Sequence, residues 1–113
     1  MTPAWLRPRA EADLVERSRY YAAEAGDEIA EQFFDAAISA LQAVERMPGT
    51  GTLRVGELCD VPGLRMRRII GVPCGWYSFV RPDHLDVVRL LADPQDLAAI
   101  LDDEATRPRG HEA

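Results

Sequence analysis

Hydrophobic positions in the first half of the chain recur every three or four residues, which is the spacing of amphipathic helices. One stripe runs from Pro8 to Gly26 and a wider one runs from Asp27 to Met47, where Pro48-Gly49 follows. The first stripe consists of Ala10, Leu14, Ser18, Tyr21 and Ala25, and the second of Ile29, Ala30, Phe33, Phe34, Ala37, Ile38, Leu41 and Val44. Asp27 is expected to cap the second helix, and so short a connection predicts an antiparallel helical hairpin.

The pattern changes in the second half of the chain. A short apolar run, Pro3–Leu6, predicts a strand before the helices, and the Gly- and Pro-containing residues 49–63 predict a loop after them. Three runs rich in β-branched and aromatic residues follow, separated by turn residues. They are Leu64–Ile70, Trp76–Arg81 and Leu85–Ala92. Such runs predict an antiparallel meander of three strands.

The end of the chain predicts one more element. Asp93-Pro94 is typical of a helix start, and Leu97, Ile100 and Leu101 then lie on one face of a short helix that ends near Glu104. Residues 105–113 are expected to form a disordered tail. The 113-residue chain therefore predicts one α+β domain over residues 1–104, with a helical hairpin packed on a small antiparallel sheet.

Charge is distributed unevenly along the chain, whose formal net charge is −6. Residues 1–48 carry 5 arginines and 9 acids, residues 49–92 carry 6 and 4, and residues 93–113 carry 2 and 6. An anionic partner would therefore meet the middle third, although the acidic total argues against general nucleic-acid binding. No apolar run approaches the ~20 residues of a membrane helix, and no signal region is evident, so a cytoplasmic protein is expected.

Common enzyme motifs are absent from the sequence, which has no glycine-rich phosphate loop, GxSxG or HExxH. His84 falls in a predicted turn and His111 in the tail, so neither is expected to act as a general base. Cys59 and Cys74 lack the spacing of a zinc site or a disulfide framework and are expected to be ordinary thiols. We expect no catalytic residue, no metal and no cofactor.

Arginines on the predicted strands are the most informative charged residues. Arg65, Arg67, Arg68 and Arg89 lie in the positive third, and Arg65 and Arg67 share one strand face. Guanidinium groups suit carboxylate or phosphate contacts, and we favour a partner chain or structural pairing over catalysis. On the strand between them, Trp76 and Ser78 lie on one side and Tyr77 and Phe79 on the other; the latter pair is expected in the core.

Four short sequence segments, which occur in the same order along about residues 3–104, resemble motifs of the ParE/RelE superfamily of type II toxin–antitoxin toxins. Arg9-Ala10-Glu11-Ala12-Asp13-Leu14 with Tyr20-Tyr21 is similar to the start of the family's first helix, and Phe33 to Pro48 to its second. Pro62-Gly63-Leu64-Arg65 and Leu85-Asp86-Val87-Val88-Arg89-Leu90-Leu91 resemble two of its strands. The resemblance implies a RelE/ParE-like fold.

Departures from the family pattern favour its ParE-like branch. The mRNA endonucleases of the superfamily carry basic residues and a tyrosine after the last strand, where this chain has Ala92 to Asp96 and then Ile100. Acids there would repel a scissile phosphate, whose cleavage needs an acid/base group and nearby cations. The resemblance therefore implies a toxin, of a kind linked to plasmid stabilisation, that inhibits DNA gyrase by protein–protein binding.

The family also implies a cognate, ParD-like antitoxin that forms a hetero-oligomer with the toxin. We expect Arg65, Arg67, Arg68, Trp76 and Arg89 to contact the antitoxin, and Leu97, Ile100 and Leu101 to contact gyrase, with no membrane contact and no direct nucleic-acid binding. Two alternatives stay open. One is a ribosome-dependent mRNA endoribonuclease that uses Arg65, Arg67 or Arg89, and the other is a non-toxic, antitoxin-binding relic of the same fold.

Overall fold

Helices and a small sheet follow one another in the predicted order in the computed structural model, which describes residues 1–92. The elements are β1 (Ala4–Leu6), α1 (Pro8–Ala25), α2 (Asp27–Arg46), a 3₁₀ turn (Pro48–Thr50), α3 (Arg54–Leu58), β2 (Leu64–Arg68), β3 (Gly75–Val80) and β4 (Leu85–Leu91). The α+β class, the N-terminal strand, the helical hairpin and the three-stranded meander are confirmed. The predicted helix from Pro94 to about Glu104, the domain end at residue 104 and the tail 105–113 lie outside the described residues.

The sheet has four strands in the order β1-β4-β3-β2. β2, β3 and β4 pair antiparallel, whereas β1 pairs parallel to β4, with Ala4 opposite Leu85 and Leu6 opposite Val87. A register shift between Tyr77 and Ser78 interrupts the β3–β4 ladder. β2 therefore forms one edge of the sheet, and the three residues of β1 form the other.

The helical hairpin covers one face of the sheet. α2 buries Phe33, Ala37, Leu41 and Val44, which recur every three or four residues. The predicted stripe is wider than this buried face, because Ile29 and Phe34 on its borders are 39% and 43% exposed. Asp27 does not cap α2 as predicted; it is the first helical residue, the cap position is Gly26 at a φ of 97°, and no side chain bonds the helix end.

Both faces of the sheet are buried. The larger cluster lies between helices and sheet and contains Ala10, Leu14, Phe33, Ala37, Leu41, Val44, Ile69, Cys74, Trp76, Leu85, Val87 and Leu90. The smaller one lies on the opposite face, next to residues of α3, and contains Val61, Leu64, Tyr77, Phe79 and Val88. The predicted core positions of Tyr77 and Phe79 are confirmed, at 3% and 9% exposure.

Residues 49–63 are not the plain loop that the sequence predicted, because they contain most of the 3₁₀ turn and all of α3. The chain returns to the sheet edge between these elements, where Thr52 and Met66 exchange two main-chain hydrogen bonds of 3.0 and 2.9 Å. Gly56 of α3 is buried against the loop that follows. With only 5 residues, α3 is too short to show a helical spacing of hydrophobic residues in the sequence. No helix within residues 1–92 has the length and apolarity needed to cross a membrane.

Candidate partner-binding groove

An open groove lies between α2 and the sheet edge formed by β2. Its volume is about 330 Å³. Small side chains of α2 form one wall, and arginines and an isoleucine from the end of β2 and just beyond form the other. The lining residues are Ala36, Ser39, Ala40, Ala43, Arg67, Arg68 and Ile70. Ile70 is 88% exposed, and none of these lining residues is acidic.

The three arginines of β2 have different surroundings. Arg65 Nη1 donates to the carbonyl oxygens of Gly51 at 2.8 Å and Gly49 at 3.2 Å. Arg67 Nη1 donates to the Thr50 hydroxyl at 3.2 Å. The Arg68 side chain is exposed, and its guanidinium makes no hydrogen bond or ion pair with any residue in the described range. The structure thus brings Arg67 to the groove, while Arg65 holds the turn beside it. Arg68 shares its strand face with Leu64 and Met66 and lies beside Tyr77, so its side chain is directed toward the opposite face of the sheet.

Arg89 does not lie in this groove. Its Nε and Nη2 donate to the two carboxylate oxygens of Asp13 in α1, at 2.7 and 2.9 Å, and both side chains are nearly buried. Arg89, which the sequence predicted among the antitoxin contacts, is therefore engaged within the fold by structural pairing with an acid. Periodicity placed Arg89 on a strand but carried no information on its partner, which lies 76 residues away in the sequence.

Trp76 is part of the interior. Its side chain is 1% exposed in the larger core cluster, and its indole Nε1–H donates to the main-chain oxygen of Ala37 at 2.9 Å. A buried indole usually finds such a partner. The surface that surrounds the groove therefore does not include Trp76, which sequence reasoning had placed among the partner contacts.

A second ion-pair cluster lies at the β1 edge of the sheet and was not predicted. Asp86 accepts hydrogen bonds from Arg7 Nε and Nη2 at 2.9 and 2.8 Å, and from Arg81 Nη2 at 3.1 Å. Burial by itself would raise the pKa of Asp86, but the hydrogen bonds and charges of both arginines outweigh it and lower the pKa to about 2. The sequence feature that could have indicated this cluster is the position of Asp86 inside the mostly apolar run Leu85–Leu91.

A stacked aromatic pair, in which Trp5 is exposed and His84 is half-buried, borders the same edge. The rings of Trp5 and His84 stack with centroids 4.0 Å apart, and His84 Nδ1 lies 2.7 Å from a carboxylate oxygen of Asp83. Trp5 is 54% exposed. The predicted turn at His84 is confirmed, and the imidazole lies against an aromatic ring and an exposed carboxylate.

Comparison with solved structures finds a protein of the same fold. One similar structure is described as "Chromosomal ParDE TA system from P. aeruginosa": the TM-score is 0.69 at 20% sequence identity, over 80% of this chain and 94% of that chain. The two chains share a fold. The predicted RelE/ParE-like architecture is thereby confirmed. No protein-family model matches the sequence, and no curated protein matches it either.

Within this ParDE-type fold, the two cysteines are free thiols. Cys74 is buried in the larger core cluster, and burial raises the pKa of its thiol, an effect that the charge of Arg17 opposes. A raised pKa keeps the thiol protonated and weakly nucleophilic at neutral pH. Cys74 is therefore a packing residue in this fold, in agreement with the ordinary thiol that the sequence predicted. Cys59 is half-buried beside the smaller cluster.

Proposed function

We propose that this protein is the toxin of a type II toxin–antitoxin pair, of the ParE-like kind. In this proposal it inhibits DNA gyrase by protein–protein binding in the cytoplasm, and a cognate antitoxin neutralises it. The observation that carries the proposal is the shared fold with a chain of a ParDE toxin–antitoxin structure, which extends over 94% of that chain. Fold similarity alone is an argument by analogy, so the residues of the groove provide the second support.

The antitoxin would contact the β2 edge. Arg65, Arg67 and Arg68 concentrate positive charge on one strand of a chain whose net charge is −6. The adjacent groove offers apolar surface with no acidic side chain in its lining. Charged hydrogen bonds to a partner's carboxylates are the strong kind when they are partly desolvated. An acidic, partly apolar segment of an antitoxin fits these features.

The alternative of an mRNA endoribonuclease is less well supported by the contacts of Arg89. A phosphate-binding role would need its guanidinium to face the substrate, but Asp13 occupies two of its nitrogens. A phosphate would have to displace a carboxylate that also accepts the Leu90 main-chain N–H at 3.0 Å. Binding, rather than RNA cleavage, is therefore the proposed mode of action.

The proposed gyrase contacts are Leu97, Ile100 and Leu101, which lie outside the described residues. They are proposed from the sequence, because the family resemblance places the determinants of toxicity toward this end of the chain. Truncation after Asp93 should abolish growth inhibition while leaving most of the antitoxin contact in place. A folded truncated protein that still arrests growth would contradict this assignment.

The experiment that tests the proposed function is expression of the chain alone and together with the product of the neighbouring reading frame. We expect growth arrest and loss of plasmid supercoiling with the chain alone, and rescue by co-expression. Intact ribosome-bound mRNA is expected throughout. Codon-specific mRNA cleavage would instead favour the endoribonuclease, and normal growth with a stable complex would favour the non-toxic relic.

A further inference from the structure

The face of the sheet that points away from the helical hairpin is positively charged at one end. Leu85 and Val87 of β4 lie in the larger cluster on the hairpin side, so Asp86 between them points to the opposite face, which we call the outer sheet face. There Arg7 and Arg81 share the single carboxylate of Asp86, so positive charge exceeds negative charge in this cluster. The Arg81 side chain is 30% exposed and is therefore accessible to a further anionic group.

A second exposed arginine, Arg68, lies at the other end of the outer sheet face. Arg68 pairs with Gly75 across the β2–β3 ladder, and Gly75 in turn pairs with Leu91 at the end of β4. Arg68, Leu91 and Ala92 are among the residues that line a small cavity of about 40 Å³. The described part of the chain, residues 1–92, thus ends beside a guanidinium that has no ion pair within that part.

The residues that follow Ala92 carry the opposite charge. Residues 93–104 contain five acids and no basic residue. Two acids come first and three come last; they are Asp93, Asp96, Asp102, Asp103 and Glu104. The five residue steps from Leu91 back to Asp86 on β4 span roughly 17 Å at the rise of a strand. The nine steps between the first and the fourth-last of the acids' positions, 93 and 102, span about 14–30 Å, from the rise of a helix to that of a strand. The two groups of acids can therefore reach both ends of the outer sheet face at the same time.

We propose that residues 93–104 dock on the outer sheet face of their own chain in the free protein, with the first two acids at Arg68 and the last three at Arg81. Carboxylates form strong hydrogen bonds with guanidinium groups. A covalently attached segment also has a high effective concentration at a site beside its point of attachment. The docking itself does not depend on the proposed function. It would fix the position of the proposed gyrase contacts, and only that consequence rests on the proposed function.

A nitroxide spin label at position 106 of the full chain tests the docking by NMR. Thr106→Cys is combined with Cys59→Ser, so that the label attaches at position 106, since the remaining Cys74 is buried. We expect the nitroxide to broaden the signals of Arg81 and His84 several-fold more than those of Asp35, which is exposed on α2. Equal broadening on both sides of the molecule would overturn the proposal. No toxicity is measured, so an absence of growth arrest leaves this test unaffected.

A mixed sample separates docking within one chain from docking between copies. It contains a spin-labelled chain without isotope label and an isotope-labelled chain without nitroxide. We expect no broadening at Arg81 in this mixture. Broadening as strong as in the singly labelled sample would mean that the segment binds a second copy, and it would overturn the proposal.

Neutralising the last acids should release the segment. Asp102→Asn with Asp103→Asn should reduce the broadening at Arg81 several-fold, because the attraction to its guanidinium is lost. The change removes no contact between described residues, so the fold of residues 1–92 is kept. Glu28→Gln with Glu31→Gln, two exposed acids of α2, is the matched control and should leave the broadening unchanged. Equal effects of the two pairs would contradict a specific contact.

Arg68 and Arg67 form a second matched pair, because adjacent residues of a strand lie on opposite faces of the sheet. Arg68→Glu should reduce the broadening at Arg81 several-fold, whereas Arg67→Glu should not. Arg68→Glu combined with Asp93→Arg and Asp96→Arg should restore the broadening, because the reversed charges attract each other again. An unaffected Arg68→Glu variant, or a triple variant that is no more broadened than Arg68→Glu alone, would refute the docking at Arg68.

Discussion

Asp13 and Arg89 join α1 to β4 through two hydrogen bonds of 2.7 and 2.9 Å. The same carboxylate accepts the Leu90 main-chain N–H at 3.0 Å. β1 pairs only with Leu85–Val87, so this N–H lies beyond the end of β1 on β4. Asp13 therefore has two roles. It neutralises the nearly buried Arg89, and it accepts the hydrogen bond of a β4 main-chain N–H that β1 does not reach.

Asp13→Asn should destabilise the protein strongly. Removing one partner of a buried ion pair leaves an uncompensated charge and typically costs about 3–5 kcal/mol. For a domain of this size we expect Tm to fall by more than about 10 °C, measured by circular dichroism. Glu11→Gln, an exposed acid on the same helix, is the control and should stay within about 0.5 kcal/mol of the parent. An unchanged Tm for Asp13→Asn would show that the ion pair contributes little to folding.

The Asp86 carboxylate should make stability depend on pH in the acid range. Its pKa is lowered to about 2 in the folded protein, so the folded state favours the ionised form. The stabilisation is fully present above the unfolded pKa of about 3.9 and is lost as pH falls toward 2. Asp86→Asn should therefore cost about 2 kcal/mol at pH 7 and flatten the pH dependence of urea unfolding between pH 4 and 2. The exposed Asp35→Asn serves as control, and parallel curves for Asp86→Asn and the parent would contradict the assignment.

Gly56 should be intolerant of a side chain. A Cβ atom at this position would lie 2.7 Å from the main-chain oxygen of Leu64 and 2.8 Å from that of Val61. Both contacts are main-chain atoms, which cannot move aside as the end of a flexible side chain can. Gly56→Ala should therefore lower the free energy of unfolding by about 1–3 kcal/mol. Gly49→Ala is the matched control, because a methyl group added there would meet open space, with no contact within 4 Å. Equal stability of the two variants would exclude this close packing.

The two tryptophans should differ in solvent access. Trp76 is 1% exposed and Trp5 is 54% exposed. In Trp5→Phe the remaining fluorescence should be blue-shifted and weakly quenched by acrylamide, whereas in Trp76→Phe it should be red-shifted and quenched several-fold more. Trp76→Phe also removes the hydrogen bond to Ala37, at a cost of about 1 kcal/mol. Similar quenching in both variants would place Trp76 at the surface and return it to the candidate partner contacts.

The sequence by itself determined the two long helices and the four strands and roughly where they begin and end, but not the short helix α3. Hydrophobic spacing distinguished α1 and α2 from β2, β3 and β4, because a helix repeats every 3.6 residues and a strand every two. Gly26 and the turn at His84 marked connections for the same local reason. Tyr77 and Phe79 were correctly predicted in the core, since they alternate with their neighbours along β3.

The tertiary structure decided which charges are available to a partner. The sequence presented Arg68 and Arg89 as similar strand arginines, yet the side chain of Arg68 is exposed and that of Arg89 is bound to Asp13. It likewise gave no sign that β1 would pair parallel to β4. Periodicity reports only which residues share a face of one element, whereas an ion pair between residues 76 positions apart depends on how elements pack against each other.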